Sequence, residues 1–465
     1  MKESAHRARL LGHSLYRRRV ETRFPFRFGK VSMTAMPLVY LETTWESADG
    51  VLFTGWSASG IPPLWFDKRD GKTAEDNEHD LLVSLAAAGQ AYRDAGVGTA
   101  WALHKTVTEP VRGALTARGQ APLAAGFGPA LFEAAHVDGI CRHLGATFHQ
   151  ALHEAFGVPP EIKAALPAAP TPFMHYRHTV GLADALAASE VAAPLRDGLP
   201  ESLEDVIAVY RPSFFKIKIG ANAVENLERL GRIAALLEVV PDYRITLDGN
   251  EQFADLAVFA DFLDRARRET RLARFFEATL WIEQPVRRDR ALDPAAAAAL
   301  ARVSAFRPVI LDESDGEADA LARGLALGYG GVSSKTCKGL FRSVSHVAAL
   351  AAAARPGRPA PILSSEDLTT VPVHPLQQDL CLAAALGLAH SERNGHHYIR
   401  PAAFLSEGEQ REAFAAHPAL YEHDAATGLR VRLADGGFDL ADVNGARGFG
   451  TPRRPDLSAL EPVTL

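Results

Sequence analysis

Apolar positions follow two rhythms along this chain, and the change falls near residue 170. Beyond it, short apolar runs alternate with stretches whose apolar residues recur at i+3 and i+4, so strands alternate with helices. The runs Met174–Val180, Phe214–Ile219, Tyr243–Leu247, Thr279–Ile282, Pro308–Leu311, Gly331–Ser334 and Pro361–Leu363 predict strands, with a last one near Leu388. Helices are expected over Ala223–Val239, from Phe253 toward Ala278, and over Pro294–Val303, Glu317–Leu327, Leu340–Ala354 and Pro375–Leu386. Such alternation implies a parallel sheet, and the count approaches a closed eightfold barrel, an α/β fold of the (β/α)8 type.

The first 165 residues differ. Leu38–Thr44 and Val51–Trp56 predict paired strands around the turn Ser47-Ala48-Asp49-Gly50, followed by helices over Asp80–Asp94 and from Pro129 to Phe156. We therefore expect an N-terminal α+β domain over 1–165, a Pro- and Ala-rich linker at Ala164–Pro172, a barrel over 172–400, and a tail, 401–465, that packs back toward the first domain. At 465 residues the chain has room for both.

Several strand-like runs end on a charged group. Lys216 and Lys218 stand at i and i+2 and so share one face of the second barrel strand. Buried together, like charges lower each other's pKa and favour a neutral amine able to take a proton. Asp248 and Asn250 repeat the spacing one strand later, and Glu283 and Asp312 end the next two. A single such acid usually caps a helix. Three in consecutive units repel unless a cation sits among them, and an all-oxygen set suits Mg²⁺. Lys335, with Lys338 three residues on, ends the sixth strand, across a barrel from Lys218.

In order, Lys216/Lys218, Asp248/Asn250, Glu283, Asp312 and Lys335/Lys338 resemble the site of the enolase superfamily, in its muconate-lactonizing (mandelate racemase/muconate lactonizing enzyme-like) subgroup. The resemblance covers roughly Thr171 to His390, and more loosely the N-terminal part as a capping domain. It implies one Mg²⁺ per subunit on Asp248, Glu283 and Asp312, proton transfer next to a substrate carboxylate by Lys218 or Lys335, and a metal-stabilised enediolate. Lys216, Asn250 and Lys338 would support the site. Cycloisomerisation, racemisation, epimerisation or dehydration would follow, making the protein an isomerase or lyase. Selectivity would come from two capping segments, Arg23–Gly29 and Gly60–Lys68, with Arg27 and Trp65 as substrate-binding candidates. Glu366 of Leu363-Ser364-Ser365-Glu366-Asp367 is a third, although Ser365 and Asp367 compete for the register. That segment lacks the histidine of a mandelate racemase-type site, and Ala389-His390-Ser391-Glu392-Arg393 lacks the D-x-D of dipeptide epimerases. The long gap from Asp248 to Glu283 and the polar Ser333, Thr336 and Cys337 depart from the pattern.

Composition adds limits. A net charge of -6 and 47% hydrophobic residues point to neither nucleic acid nor an anionic membrane. No run reaches the roughly 20 apolar residues of a membrane span. The N-terminus, basic from Arg7 to Arg19, also holds Glu3 and Glu21 and leads into a strand-like segment, unlike a targeting peptide. Three scattered cysteines fit a reducing cytoplasm. We expect a small-molecule carboxylate substrate and a homo-oligomer. The competing readings are an unrelated metal-dependent barrel lyase or aldolase, for which Ser364–Thr370 lacks a phosphate-binding glycine, and a non-catalytic relative, which would have lost a ligand or a lysine.

Overall fold

A computed structural model describes residues 6–357, 359–424 and 426–464; Glu3 lies outside them. The N-terminal part pairs three long antiparallel strands, β1 (Ala8–Phe28), β2 (Val31–Ser47) and β3 (Leu52–Gly60). The turn between β2 and β3 is the expected one: Ser47 and Val51 bond across it, and Gly50 takes φ +86°. Helices α1 (Ala74–Asp94) and α3 (Pro122–Leu144) cover one face of this sheet, and α2 (Ala100–Ala117) packs on both of them. Thr73 and Asp76 form a capping box that starts α1. α3 is buried on nearly every side, as its apolar composition requires. It reaches β3 through two glycines, since a Cβ on Gly55 would stand 1.9 Å from the Ala135 carbonyl and 2.6 Å from the Gly139 nitrogen.

Eight parallel strands then close a barrel: β4 (Phe173–Val180), β5 (Phe214–Lys218), β6 (Arg244–Asp248), β7 (Thr279–Glu283), β8 (Val309–Leu311), β9 (Gly331–Ser334), β10 (Ile362–Ser365) and β11 (His390–Arg393). Pairing of β11 with β4 completes the ring. Their residues are almost all buried, as strands with helices outside and packed side chains inside must be. The expected third helix is broken, running over Leu256–Ala266 and, after a 3₁₀ turn at Thr270–Leu272, over Ala273–Glu277. The tail folds back on both parts. β12 (Gly437–Asp439) joins β4 antiparallel, and β13 (Glu461–Val463) joins β1.

The segment Arg23–Gly29 is not a free loop. Arg23 to Phe28 complete β1 across a register shift between Glu21 and Phe26, and Phe26 to Phe28 pair with β2 again. Arg23 is bound to Asp197 and to the carbonyls of Leu199, Pro200 and His397. No helix among the described residues is long and apolar enough to cross a membrane.

Candidate active site

The C-terminal ends of the barrel strands gather the charged residues into one buried group. Lys216 lies at its centre. Its Nζ is 2.9 Å from Glu283 Oε1, 2.7 Å from Glu366 Oε2 and 2.9 Å from Glu392 Oε2, and 3.0 Å from Asp248 Oδ2. Lys218 donates to Asp248 at 2.6 Å. Across the barrel Lys335 donates to Asp312 Oδ2 at 2.7 Å. Lys338 lies behind, donating to the Asp312 carbonyl at 2.9 Å and to Ser333 Oγ at 2.7 Å.

The strand ends are tied to one another. Gln284, at φ +33°, accepts at Oε1 from the amides of Asp312 (2.9 Å) and Ser314 (3.2 Å), fixing the turn after β8 to the one after β7. The Asn250 amide donates to Asp248 Oδ1 at 2.8 Å. Gly249 allows this turn, because a Cβ there would stand 2.6 Å from Pro285 Cα. Ser333 Oγ donates to Asp312 Oδ1 at 2.6 Å, which accounts for the polar character of β9. Above these groups a chamber of about 30 Å³ is lined by Lys218, Lys335, Asn250, Asp367 and Glu392, and roofed by Phe26, Phe28, Pro62, Trp65 and Leu368.

Burial alone would lower the Lys216 amine, but Asp248, Glu283, Glu366 and Glu392 outweigh it and hold it well above the usual range. The expectation that Lys216 and Lys218 depress each other therefore fails for Lys216. Its charge is shared by four carboxylates, two of which, Glu366 and Glu392, come from the ends of β10 and β11. Burial likewise acts to lower Lys335, and Asp312 overrides it, leaving this amine above its ordinary value. The Asp312 carboxyl, against its own burial, is held well below its range by Lys335, Lys338 and Lys216. Glu283 goes the other way: burial, then Asp248 and Glu366, push it well up.

No family model and no curated protein matches the chain. Solved structures do. A Bradyrhizobium enolase complexed with magnesium and mandelic acid aligns at TM-score 0.60 and 17% identity over 97% of each chain. The N-succinyl Arg/Lys racemase of Bacillus cereus aligns at TM-score 0.58 and 16% identity, over 98% of this chain and 100% of that one. The L-Ala-D/L-Glu epimerase of Bacillus subtilis aligns at 0.58 and 14%, over 95% of this chain and 98% of that one. The chain has the enolase-superfamily fold.

Within that fold the acids at the ends of β6, β7 and β8 are hard oxygen donors of the kind a divalent cation takes. Glu283 Oε2 is buried and accepts no hydrogen bond, although it lies 2.8 Å from the Lys216 ammonium. Among the described residues no three acidic, histidine or cysteine side chains stand arranged as a metal cage. Lysine ammonium groups occupy the carboxylates instead. The donor set fits a hard cation, on condition that Lys216, Lys218 and Lys335 move off the oxygens they now pair.

Of the residues singled out from sequence, Lys216, Lys218, Asp248, Asn250, Glu283, Asp312, Lys335 and Lys338 come together, and Trp65 covers Lys335 with its ring centroid 4.4 Å from Nζ. Arg27 does not join them. It is exposed on the opposite face of β1 from Phe26 and Phe28, because alternation along a strand sends neighbours to opposite sides. Glu366 is also misplaced as a substrate contact. It lies fully buried beneath Lys216 and pairs with Arg177, while Asp367 is the one that lines the chamber. Sequence reasoning missed Glu392 of β11 and Arg177 of β4. Glu392 receives the Asp367 amide at 2.9 Å and the Thr179 hydroxyl at 2.7 Å, and it sits within 4.0 Å of Lys218. Its signal was available: an acid at the end of the last strand, in the place its counterparts hold on β6 and β7.

Proposed function

We propose that the protein is an enolase-superfamily isomerase that moves the proton α to a substrate carboxylate. One observation carries the reading: the amines of Lys218 and Lys335, from β5 and β9, face the same small chamber from opposite sides, with acids at the ends of the strands between them. A C–H beside a carboxylate is a very weak acid, so its removal needs a placed base and compensation for the charge that develops. Lys218 or Lys335, once neutral, takes the proton from one face, and the other returns one to the opposite face. Racemisation or epimerisation is then the simplest outcome, and cycloisomerisation or dehydration would share the first step. Asp248, Glu283 and Asp312 would hold Mg²⁺, which when bound supplies positive charge to the substrate carboxylate. Asn250 fixes Asp248 through its amide, and Lys338 fixes Asp312 through its carbonyl and Ser333. Phe26, Phe28, Pro62 and Trp65 exclude water and favour an apolar substrate body.

The reading gains support from neighbours of the same fold that include a magnesium and mandelic acid complex, a racemase and an epimerase. It is tested by incubating the protein with Mg²⁺ in D₂O and a panel of acid sugars, N-acyl amino acids, dipeptides, and cyclohexadiene and muconate-type acids. Deuterium should appear at the α-carbon of at least one. Lys218→Met and Lys335→Met should each slow that exchange by about 10²–10⁴-fold. Exchange that persists undiminished in both variants refutes the mechanism.

A further inference from the structure

A chamber of about 30 Å³ has room for about one or two waters and for no carboxylic acid, so turnover requires the roof to open. The roof over Lys335 is the segment following β3, and four charged side chains bind it to the barrel. Arg288, after β7, donates from Nη1 to the Phe66 carbonyl at 2.8 Å and from Nη2 to the Trp65 carbonyl at 3.0 Å. Glu251, after β6, holds that guanidinium in a bidentate pair, at 2.8 Å from Nε and 2.8 Å from Nη2, and also takes the Arg288 amide at 2.8 Å. Lys68, at the end of the roof segment, reaches Glu251 at 2.8 Å and Glu313 at 2.9 Å. Glu313 in turn accepts from Asn250 Nδ2 at 3.3 Å.

Two features mark this as more than surface pairing. Asn250 and Glu251 hold φ +40° and +69°, left-handed conformations that side-chain-bearing residues seldom adopt. That bend lets Asn250 face the chamber while Glu251 faces Arg288. Beyond the pairs lies a cleft of about 1040 Å³, bordered by Leu64, Lys68, Glu251, Arg288 and Glu313. The charged group thus stands between a small chamber and a wide cleft.

We propose that Arg288 is a positioning residue. Oriented by Glu251 and seconded by Lys68, it seats Trp65 over the Lys335 amine, and its release opens the chamber into the cleft. The consequence for catalysis rests on the reading of Lys335 as a base given above. A guanidinium fork matched to a carboxylate and two carbonyls fixes direction as well as distance, which a lysine ammonium cannot reproduce.

The test uses the full-length protein and readouts independent of turnover: amide hydrogen exchange over residues 61–68, and acetylation of Lys335 by a small amine-reactive reagent, both followed by mass spectrometry. Arg288→Ala and Glu251→Gln should raise both rates by about tenfold or more, with Arg288→Lys between them and the wild type and Lys216 acetylation unchanged as an internal control. Folded variants that keep wild-type rates at both places overturn the proposal. Should Arg288→Ala fail to fold, Arg288→Lys and Lys68→Met decide it on the same two readouts. Where the wild type exchanges an α-proton, Arg288→Ala should lower kcat by more than it raises KM, and an unchanged kcat overturns the positioning role. A wild type that exchanges no acid sinks the proposed reaction, whereas the labelling still decides the clamp.

Discussion

Lys216 pairs with four buried carboxylates at once, so it behaves as an internal counter-ion for the strand ends more than as a tuner of Lys218. Removing one partner of a buried ion pair leaves the others uncompensated, and the cost exceeds what the pair itself contributes. Lys216→Met should therefore destabilise the metal-free protein by about 3–5 kcal/mol, read as a lower urea midpoint at unchanged m-value. A loss below about 1 kcal/mol would mean that the four acids do not depend on this amine. Asp312 poses the mirror case. Asp312→Asn removes the counter-charge shared by Lys335 and Lys338. It should cost a similar amount and also abolish the heat of Mg²⁺ binding in calorimetry. Retained Mg²⁺ affinity in Asp312→Asn would remove Asp312 from the proposed ligand set.

At the scale of elements, the end of β1 contributes a part of the site that its sequence disguises. Phe24-Pro25-Phe26-Arg27-Phe28-Gly29 reads as a loop because proline and glycine punctuate it, yet beyond the register shift it pairs with β2 and turns Phe26 and Phe28 inward. Phe26 stacks on Tyr398 at 4.2 Å and roofs the chamber. Phe26→Ala should cost about 3–5 kcal/mol and widen the range of acids that undergo α-exchange, which the deuterium panel measures directly. Unaltered selectivity would confine Phe26 to packing. The barrel itself was legible because each strand is a buried apolar run bounded by turn residues and each motif sits where a run ends. α2 was not legible, since Pro110 stands inside it and interrupts the helical pattern. The contacts of Glu366 and Glu392 with Lys216 were hidden for a different reason. They join β10 and β11 to β5 across the barrel, and no local periodicity reports on partners that closure alone brings together.

The whole molecule carries an acid weakness where the barrel meets the N-terminal sheet. His178 of β4 packs edge-on against His397 at 5.0 Å, His397 against Phe24 at 5.0 Å, and His396 against Tyr176 at 5.3 Å. All three rings are buried, and His178 Nδ1, His396 Nε2 and His397 Nδ1 have no hydrogen-bond partner. Burial brings His178 down to about 3. Burial, then His178 and Arg23, bring His396 to about 3 and His397 well below its usual value. The native state thus binds fewer protons than the unfolded chain between about pH 3 and the unperturbed histidine value near 6.5. In that window stability rises with pH, so it is full above about 6.5 and is lost progressively as the medium is acidified. Each independent ring contributes a slope of about 1.4 kcal/mol per pH unit, and three give at most about 4 kcal/mol per unit, less where they repel one another's protons. His136 and His374, also near 3, act in the same direction. Glu283 opposes them, because its raised carboxyl binds a proton more readily in the folded state. Urea midpoints should therefore fall steadily from pH 7.5 to 5.5 while far-ultraviolet circular dichroism of the unperturbed protein stays constant. His178→Asn removes one titrating ring, and should flatten that fall by about 1.4 kcal/mol per pH unit below 6.5. An identical slope in wild type and variant would show that the acid sensitivity arises elsewhere than in this cluster.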